Sequence, residues 1–270
     1  MELQHQLKLQ FPYLDDEEIL DADTKPEALV AGCGTGRQSI ENALLLPNTN
    51  FTAIDITAAS LAYATRKTQE AGLQNIEYGL ADILKLEELG KEFDVIYCGG
   101  VLHHMNDPMA GWQVLTDILK PGGYMMIALY SELARANVLA TMEYIEQQAI
   151  EHTDDGIRRL RKDVLSMPDS HPMSSLVNHQ DFYSLSECRD FLFHVQEHRF
   201  TALQLDKSVK QLGLRFLGFQ PPAPDTFDKY SALFPDDPHR VNLKNWHEFE
   251  LENPDTFKGM YHLWLQKPKD

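Results

Sequence analysis

The chain has 270 residues, of which 43% are hydrophobic, enough for one sizeable core or for a core with an appended subdomain. Its formal net charge of -17 argues against general binding to RNA or DNA, because such binding depends on neutralising phosphates. No apolar stretch approaches the roughly 20 residues that span a bilayer, and the first ten residues lack the apolar centre of a signal peptide. Three scattered cysteines show no metal-ligand spacing and suit a reducing compartment. We expect a cytoplasmic protein without metal, nucleic-acid or membrane partners; its oligomeric state stays open.

Residues 27–130 alternate short apolar runs with amphipathic segments. Strands are predicted for five runs: EALVAG, NFTAIDI, NIEYGLAD, FDVIYCGG and GGYMMIALY. Helices are predicted between them: RQSIENALLL, AASLAYATRKTQEAG and PMAGWQVLTDILK. This order predicts a parallel sheet that is covered by helices on both faces.

The pattern changes after residue 130. Residues 131–199 contain helical stretches around a loop-like segment that is rich in Pro, Ser and His. A helix, TALQLDKSVKQLG, and two strands, LRFLGFQ and GMYHLWLQ, follow. Since no helix is predicted between these two strands, they either lie far apart or pair antiparallel. An antiparallel pair fits, with residues 221–258 as a long, irregular connection whose aromatic residues form core: Phe227, Tyr230, Phe234 and Trp246.

Three glycines, Gly32, Gly34 and Gly36, separate the first predicted strand from the first predicted helix. Glycines at this place let a ligand approach the backbone and the helix N-terminus. The dinucleotide-binding fingerprint is G-x-G-x-x-G, whereas this chain has G-x-G-x-G. A tight strand-to-helix turn with nothing bound therefore stays open as an alternative.

The next three strands end in residues that suit a nucleoside. Asp55 ends the second strand and could accept hydrogen bonds from both hydroxyls of a ribose, or it could cap the following helix. Asp82 ends the third strand and could accept the exocyclic amine of adenine, or be an ordinary loop residue. Cys98, Gly99 and Gly100 end the fourth strand, and such small residues leave room where open α/β sheets bind ligands.

The ordered motifs LVAGCGTG, AIDI, LADI, FDVIYCGGVLHHMNDP and LKPGGYMMI resemble those of class I S-adenosylmethionine-dependent methyltransferases. The stretch VLHHMNDP…ILKPGG is especially close to small-molecule methyltransferases of the ubiquinone-biosynthesis type. HQDFYSLSECRDFLFHVQEHRF, with FPYL before the glycines, is similar to methyltransferase domains that are fused to tetratricopeptide repeats. The resemblance implies an α/β, Rossmann-like, seven-stranded mixed sheet with an antiparallel last strand, helices on both faces and a helical insertion.

The chain is predicted to have four parts. Residues 1–26 would form an N-terminal lid segment in which Phe11, Pro12 and Tyr13 close over the cofactor, or PYLDDEEIL could simply be a helix start with acids near its N-terminus. By resemblance, residues 27–130 would form the S-adenosylmethionine-binding core. Residues 131–199 would form a helical insertion that caps the substrate. Residues 200–270 would complete the core sheet with a terminal hairpin, which carries the long insertion 221–258.

By resemblance, the glycine loop lies along the methionine part and ribose of S-adenosylmethionine, Asp55 holds the ribose, and Asp82 with Ile83 holds the adenine. The implied cofactor-binding residues are Gly32, Cys33, Gly34, Gly36, Asp55, Ile56, Asp82, Ile83, Cys98 and Gly99. One position departs from the family. Val30 stands where the family usually has an Asp or Glu that helps to position the methionine amino group, so this end of the cofactor is held less tightly or by another residue.

His103 and His104 follow the fourth strand, where the methyl group should emerge. A histidine titrates near neutral pH, so either could act as general base, with the other packing the next loop. A dedicated base is optional, because orientation alone can lower the barrier by roughly 7–11 kcal/mol.

Four residues are candidates for contact with the methyl acceptor: Tyr13, Tyr130, His179 and Tyr183. Each also has a structural alternative as a packing or surface residue. The leading hypothesis is methyl transfer to an O, N or C nucleophile of a small molecule or peptide. A non-catalytic cofactor-binding scaffold, favoured by Val30, is the first alternative. A nicotinamide-dependent oxidoreductase is disfavoured by the glycine spacing and by the antiparallel hairpin.

Overall fold

A computed structural model describes residues 2–15, 25–193 and 197–269. Within these ranges seven strands form one sheet: β1 (Glu27–Ala31), β2 (Asn50–Asp55), β3 (Ile76–Leu80), β4 (Phe93–Gly99), β5 (Leu119–Leu129), β6 (Arg215–Phe219) and β7 (Tyr261–Gln266). The same ranges contain ten α-helices: α1 (Leu3–Gln10), α2 (Arg37–Leu45), α3 (Ala58–Glu70), α4 (Pro108–Asp117), α5 (Ala136–Gln147), α6 (Asp154–Leu165), α7 (Leu185–Leu192), α8 (Ala202–Gln211), α9 (Thr226–Leu233) and α10 (Leu243–Glu252).

The strand order across the sheet is β3-β2-β1-β4-β5-β7-β6. Strands β1 to β5 are parallel to one another, whereas β7 is antiparallel to both β5 and β6. The predicted mixed, seven-stranded Rossmann-like sheet with an antiparallel last strand is therefore confirmed. Because β1 and β4 are adjacent while the chain crosses from one side of the sheet to the other, their carboxyl ends form a switch point at which ligands bind.

Two apolar clusters cover the two faces of the sheet. One packs Leu29, Ile96 and Ile127 against helices α4, α8 and α10. The other packs Val30 and Tyr97 against helices α1, α2 and α3. Since side chains alternate along a strand, neighbouring residues of β1 serve opposite faces, and the whole strand is apolar because both faces are buried.

The connection between β6 and β7 is more regular than the sequence indicated. Its prolines predicted an irregular excursion, but it contains α9 and α10, so that expectation is wrong. Tyr230 and Trp246 are fully buried and stack with ring centroids 4.1 Å apart. The connection therefore builds core against the sheet, and the predicted core role of its aromatic residues is confirmed.

A buried carboxyl group joins this connection to the sheet. Glu250 of α10 is fully buried and accepts hydrogen bonds from the hydroxyl groups of Ser131 and Tyr261. Burial raises the pKa of Glu250, and the two hydroxyl donors oppose that rise. The group thus links α10 to the residue that follows β5 by two and to the first residue of β7.

The described residues of the range 131–199 form a helical unit with an apolar cluster of its own. Leu160, Leu176 and Phe182 are fully buried within it, and they come from α6 and from two 3₁₀ segments. The segment that looked loop-like in the sequence holds these 3₁₀ turns, Pro172–Asn178 and Gln180–Phe182. The unit starts at the carboxyl end of β5, so it stands at the edge of the sheet where β1 and β4 also end.

The described part of the N-terminal segment packs as core. Leu3, Leu7 and Phe11 are buried in the cluster that contains Tyr97 and Trp264. No residue of range 2–15 lines the cavity described below, and residues 16–24 of the predicted lid lie outside the described residues. A lid role for this segment stays a prediction.

Candidate functional site

The glycine loop follows β1, and all three glycines have left-handed backbones, with φ of 74°, 52° and 85° at Gly32, Gly34 and Gly36. A Cβ at Gly32 would lie 2.2 Å from Cγ2 of Val101, and one at Gly36 would lie 2.7 Å from Cβ of Ala64. The protein's own packing thus accounts for these two glycines. A Cβ at Gly34 would meet no atom within 4 Å, so this glycine faces open space.

Asp55 fixes the shape of the loop from the end of β2. Its Oδ2 accepts a hydrogen bond of 2.9 Å from the amide of Gly34, and its Oδ1 accepts one of 2.8 Å from the amide of Thr57. The carboxylate therefore joins the glycine loop to the start of α3. A carboxylate oxygen has two acceptor sites, so each still has capacity for a hydroxyl group.

A cavity of about 300 Å³ lies beside this loop, at the carboxyl ends of β1, β2 and β4. Its lining includes Gly32, Asp55, Ile56, Asp82, Val101 and His104. Two carboxylates face a slot whose other walls are largely apolar, and Ile56 is 75% exposed although it is a large aliphatic residue. This donor set fits an adenosyl group, because the carboxylates can accept from hydroxyls and an amine while apolar side chains contact the purine.

Asp82 and Ile83 form the far side of the cavity. Oδ1 of Asp82 accepts a hydrogen bond of 3.0 Å from the amide of Leu84 and so caps the 3₁₀ segment Ile83–Leu89. Ile83 is buried and belongs to the central cluster. The carboxylate of Asp82 is therefore held at the rim by its own turn.

The structure brings together some of the predicted cofactor residues and not others. Those that line the cavity are Gly32, Asp55, Ile56, Asp82 and Ile83. Those that do not are Cys33, Gly34, Gly36, Cys98 and Gly99. Burial raises the pKa of both the Cys33 and the Cys98 thiol to about 12, so neither is a thiolate near neutral pH.

Val101 and Met105 line the cavity but were not among the predicted site residues. Both belong to the stretch that follows β4, and Val101 contacts the position that a Gly32 side chain would take. The signal was present, because an apolar residue next to Gly99 and Gly100 must stand at the switch point.

The two histidines after β4 differ in environment. His103 is fully buried, with its ring centroid 4.2 Å from that of Tyr130 and 4.3 Å from that of His104. His104 is half-buried and lines the cavity. Of the pair, His104 is thus the one that can reach a bound molecule.

Behind Tyr130 lies a buried ion pair that sequence reasoning missed. The guanidinium of Arg135 stacks over the Tyr130 ring, 3.8 Å from its centroid. It also binds Glu197 through two hydrogen bonds, and both side chains are at most 4% exposed. No sequence signal could have found this pair, since 62 residues separate its members.

Backbone hydrogen bonds extend this arrangement. The amide of His198 donates a hydrogen bond of 2.8 Å to the carbonyl of His103. The amide of Phe200 donates one of 2.9 Å to the carbonyl of Tyr130. Residues 197–200 therefore fasten the end of the helical unit to the turn that carries the two histidines. Burial raises the pKa of Tyr130, whereas the nearby Arg135 cation lowers it.

None of the four predicted acceptor residues, Tyr130 included, lines the cavity. Tyr13 donates a hydrogen bond to the carbonyl of Leu217 on the edge strand β6, and Tyr183 is 60% exposed and donates to the carbonyl of Val177. His179 lines a separate cavity of about 210 Å³ between the helical unit and residues 255–259. Burial lowers the pKa of His179.

Two further features of the described residues concern metal sites and membrane-spanning helices. In the described ranges, no set of three or more His, Cys, Asp or Glu side chains is grouped so that it could hold a metal ion. Among the described helices, none combines the length and the apolar character that crossing a membrane requires.

Comparison with known proteins is consistent with this geometry. Residues 25–182 match the family model described as a methyltransferase domain. An uncharacterized protein of Synechococcus sp. is 33% identical over 204 residues, which is 72% of this chain and 48% of that protein. A ubiquinone biosynthesis O-methyltransferase of Paracidovorax citrulli is 32% identical over 120 residues, which is 43% of this chain and 50% of that enzyme. The chain thus spans about half the length of these relatives.

The structure of PKMT2 from Rickettsia typhi has the same fold, with a TM-score of 0.71 at 16% identity over 97% of this chain and 51% of that one. The complex of that protein with AdoHcy gives a TM-score of 0.67 at 15% identity, over 91% of this chain and 49% of that one. The family match covers more than half of the chain and includes the glycine loop, both acids and both histidines. The chain therefore belongs to the methyltransferase-domain family.

Proposed function

We propose that this protein transfers a methyl group to an O, N or C nucleophile of a small molecule or peptide. The observation that carries the proposal is the cavity at the carboxyl edge of the sheet, where Asp55 and Asp82 face apolar walls and the half-buried His104 completes the lining. S-adenosylmethionine supplies the methyl group on a sulfonium sulfur, from which an in-line nucleophile displaces it.

Asp55 would hold the ribose hydroxyls, and Asp82 with Ile83 would hold the adenine, with Ile56 against the purine face. Gly34 would let the methionine part pass close to the loop, because space is open beside it. Val30 is fully buried in the apolar cluster under α1, so its position offers no carboxylate to the methionine amino group. This chain would hold that end differently from most of its family.

His104 would take the proton from an acceptor hydroxyl or amine, while His103 and Tyr130 support it from behind. A general base of this kind contributes about 10²–10⁴-fold when the acceptor still carries its proton. We therefore expect His104→Ala to lower turnover by about that factor and to leave the affinity for S-adenosylhomocysteine within twofold. Unchanged turnover would remove His104 from the mechanism.

Thermal unfolding with S-adenosylhomocysteine tests the proposal directly. Saturation at 100 times Kd adds about 2.7 kcal/mol to the free energy of unfolding, which raises Tm by about 5–11 °C in a chain of this size. A shift with NADH and none with S-adenosylhomocysteine would favour an oxidoreductase. Binding of S-adenosylhomocysteine without transfer to any acceptor would favour a scaffold.

The similarity to methyltransferase domains that are fused to tetratricopeptide repeats stays a prediction, as do the cytoplasmic location and the lack of nucleic-acid binding. Gel filtration with and without tRNA would test the predicted lack of nucleic-acid binding.

A further inference from the structure

A second, larger cleft opens beyond the cofactor cavity. Its volume is about 830 Å³, and it lies between residues 220–229 on one side and residues 249–262 on the other. We call it the hairpin cleft, because both sides belong to the connection between β6 and β7 or to its ends. None of the glycine-loop residues lines it, so it is separate from the cavity assigned to the cofactor.

The hairpin cleft stands at the same edge of the sheet as the cofactor cavity. His262 lines it and pairs with Ala128 of β5, which in turn pairs with Gly99 of β4. Paired residues on adjacent strands point to the same face, and strands are roughly 4.8 Å apart. The Cα atom of His262 is therefore about 10 Å across the sheet from that of Gly99, with Ala128 on the strand between them.

The cleft also adjoins the helical unit. Asp255, Lys258 and Gly259 line both the hairpin cleft and the 210 Å³ cavity that contains His179. A single wall of the hairpin connection thus separates the two spaces. The helical unit after β5 and the connection between β6 and β7 therefore meet here, at the carboxyl end of β5.

The charges in the hairpin cleft balance, in contrast to the strongly acidic chain as a whole. Asp225 pairs with Lys229 at 2.6 Å, and Asp255 pairs with Lys258 at 2.8 Å. Burial lowers the pKa of His262, which favours its neutral form. With each cation matched to an anion, the cleft offers no net charge to a charged ligand.

The cleft is lined by both polar and apolar side chains. Its apolar part consists of Phe249 and Phe257, which are buried, together with Pro221, Pro222 and Met260. A volume of about 830 Å³ is in the range of sites for small molecules, in which apolar side chains contact the ligand body and polar groups fix its orientation. The neutral imidazole of His262 can accept a hydrogen bond from such a ligand.

We propose that the hairpin cleft binds the methyl acceptor, and that this acceptor is an uncharged small molecule with an aromatic or aliphatic body and a hydroxyl group. The assignment rests on the methyltransferase function proposed above. The acceptor body lies in the cleft, and its reactive end points across Ala128 toward Gly99. On transfer, the hydroxyl oxygen forms the new bond to the methyl carbon, the carbon–sulfur bond breaks with its electron pair left on sulfur, and a basic side chain takes the hydroxyl proton.

Three probes with one body and different charges test the ligand class: 4-phenylphenol, biphenyl-4-carboxylate and biphenyl-4-ylmethylammonium. Their affinities are measured by calorimetry in the presence of saturating S-adenosylhomocysteine. We expect saturable binding of the phenol, with both charged probes at least tenfold weaker. The assignment is overturned if a charged probe binds as tightly as the phenol, or if the phenol does not bind.

Two tryptophan variants test the location. Ala223→Trp fills the mouth of the cleft at an exposed residue and should weaken phenol binding at least tenfold. Ala71→Trp, at an exposed residue after α3 and outside the cleft, is the matched control and should change it less than twofold. Equal phenol affinity in the two variants overturns the location. If Ala223→Trp melts early, Pro222→Trp replaces it at the same exposed rim.

Titration of S-adenosylhomocysteine into each protein comes first. Its affinity should be the same in wild type and in every variant, because none of the changed residues lines the cofactor cavity. If the wild type binds S-adenosylhomocysteine but not the phenol, only the assignment of the hairpin cleft to the acceptor is refuted. If the wild type does not bind S-adenosylhomocysteine, the proposed methyltransferase function is refuted.

Discussion

Asp55 has two roles: its carboxylate stabilises the glycine loop, and it faces the cofactor cavity. Replacement by alanine should affect both the free energy of unfolding and the affinity for the cofactor. The carboxylate accepts hydrogen bonds from the amides of Gly34 and Thr57. Loss of a carboxylate that accepts backbone amides at a helix start costs about 0.5–2 kcal/mol of stability. For a chain of this size, that cost lowers Tm by about 1–8 °C.

Asp107 provides a matched control in the same protein. Its Oδ1 accepts hydrogen bonds of 2.9 and 3.1 Å from the amides of Met109 and Ala110, at the start of α4. It does not line the cofactor cavity. Asp107→Ala should therefore lower stability by about as much as Asp55→Ala, and it should leave cofactor affinity unchanged.

The two variants should differ in their affinity for S-adenosylhomocysteine, measured by calorimetry. A charge-assisted hydrogen bond to the ribose contributes about 1.5–3 kcal/mol, so its loss weakens binding about 10- to 150-fold in Asp55→Ala. Asp55→Asn keeps one acceptor oxygen and should give an intermediate loss. If Asp55→Ala and Asp107→Ala bind S-adenosylhomocysteine equally well, Asp55 is a structural residue and the reasoning is refuted.

Gly32→Ala should lower the free energy of unfolding in urea by about 1–3 kcal/mol, because a Cβ there overlaps Val101 and the backbone is left-handed. Gly34→Ala, at a position that faces open space, should lower it by about 1–2 kcal/mol and should also weaken S-adenosylhomocysteine binding. A larger loss of stability in Gly34→Ala than in Gly32→Ala would contradict the loop geometry. Arg135→Met should lower the free energy of unfolding by about 3–5 kcal/mol, because it leaves Glu197 buried without its main partner. The double variant Arg135→Met, Glu197→Leu should recover much of this loss. If urea unfolding shows no recovery, the unpaired buried carboxylate is not the cause of the loss. Glu250 keeps its proton to a higher pH in the folded than in the unfolded chain, where the ordinary pKa is 4.5, so its contribution makes stability fall as pH rises above about 4.5. Glu250→Gln should remove that part of the fall, and identical pH profiles of the two proteins would show that the carboxyl group does not titrate differently on folding.

The sheet could be predicted because its signals are local. Strands β1, β2 and β4 are short apolar runs that end at small or acidic residues, and the glycines after β1 mark the turn into α2. The same logic placed Asp55 and Asp82 at the site, since carboxyl ends of neighbouring parallel strands meet at one edge.

Helices α9 and α10 were missed because prolines and charged residues conceal their short apolar faces. The buried residues of α10, among them Trp246 and Phe249, recur at helical spacing, and Asn242 caps the helix by accepting from the amide of Lys244. These signals were present in the sequence but were outweighed by the prolines that flank them.

Contacts between distant segments could not be predicted. Arg135 and Glu197 are adjacent only because residues 197–200 return to the end of β5, and Tyr13 lies on β6 only because α1 crosses the sheet face. His262 looked like one residue of an alternating strand. Its position opposite Ala128 depends on the register of β7, which a single sequence does not specify.

A crystal structure with S-adenosylhomocysteine bound is the most direct test of the central claim, that the cavity beside the glycine loop holds the adenosyl group. The account predicts ribose hydroxyls on the carboxylate of Asp55, adenine between Ile56 and Ile83, and the sulfur directed toward Gly99. Density for the ligand elsewhere, or a cavity that stays empty at saturating ligand, would contradict it.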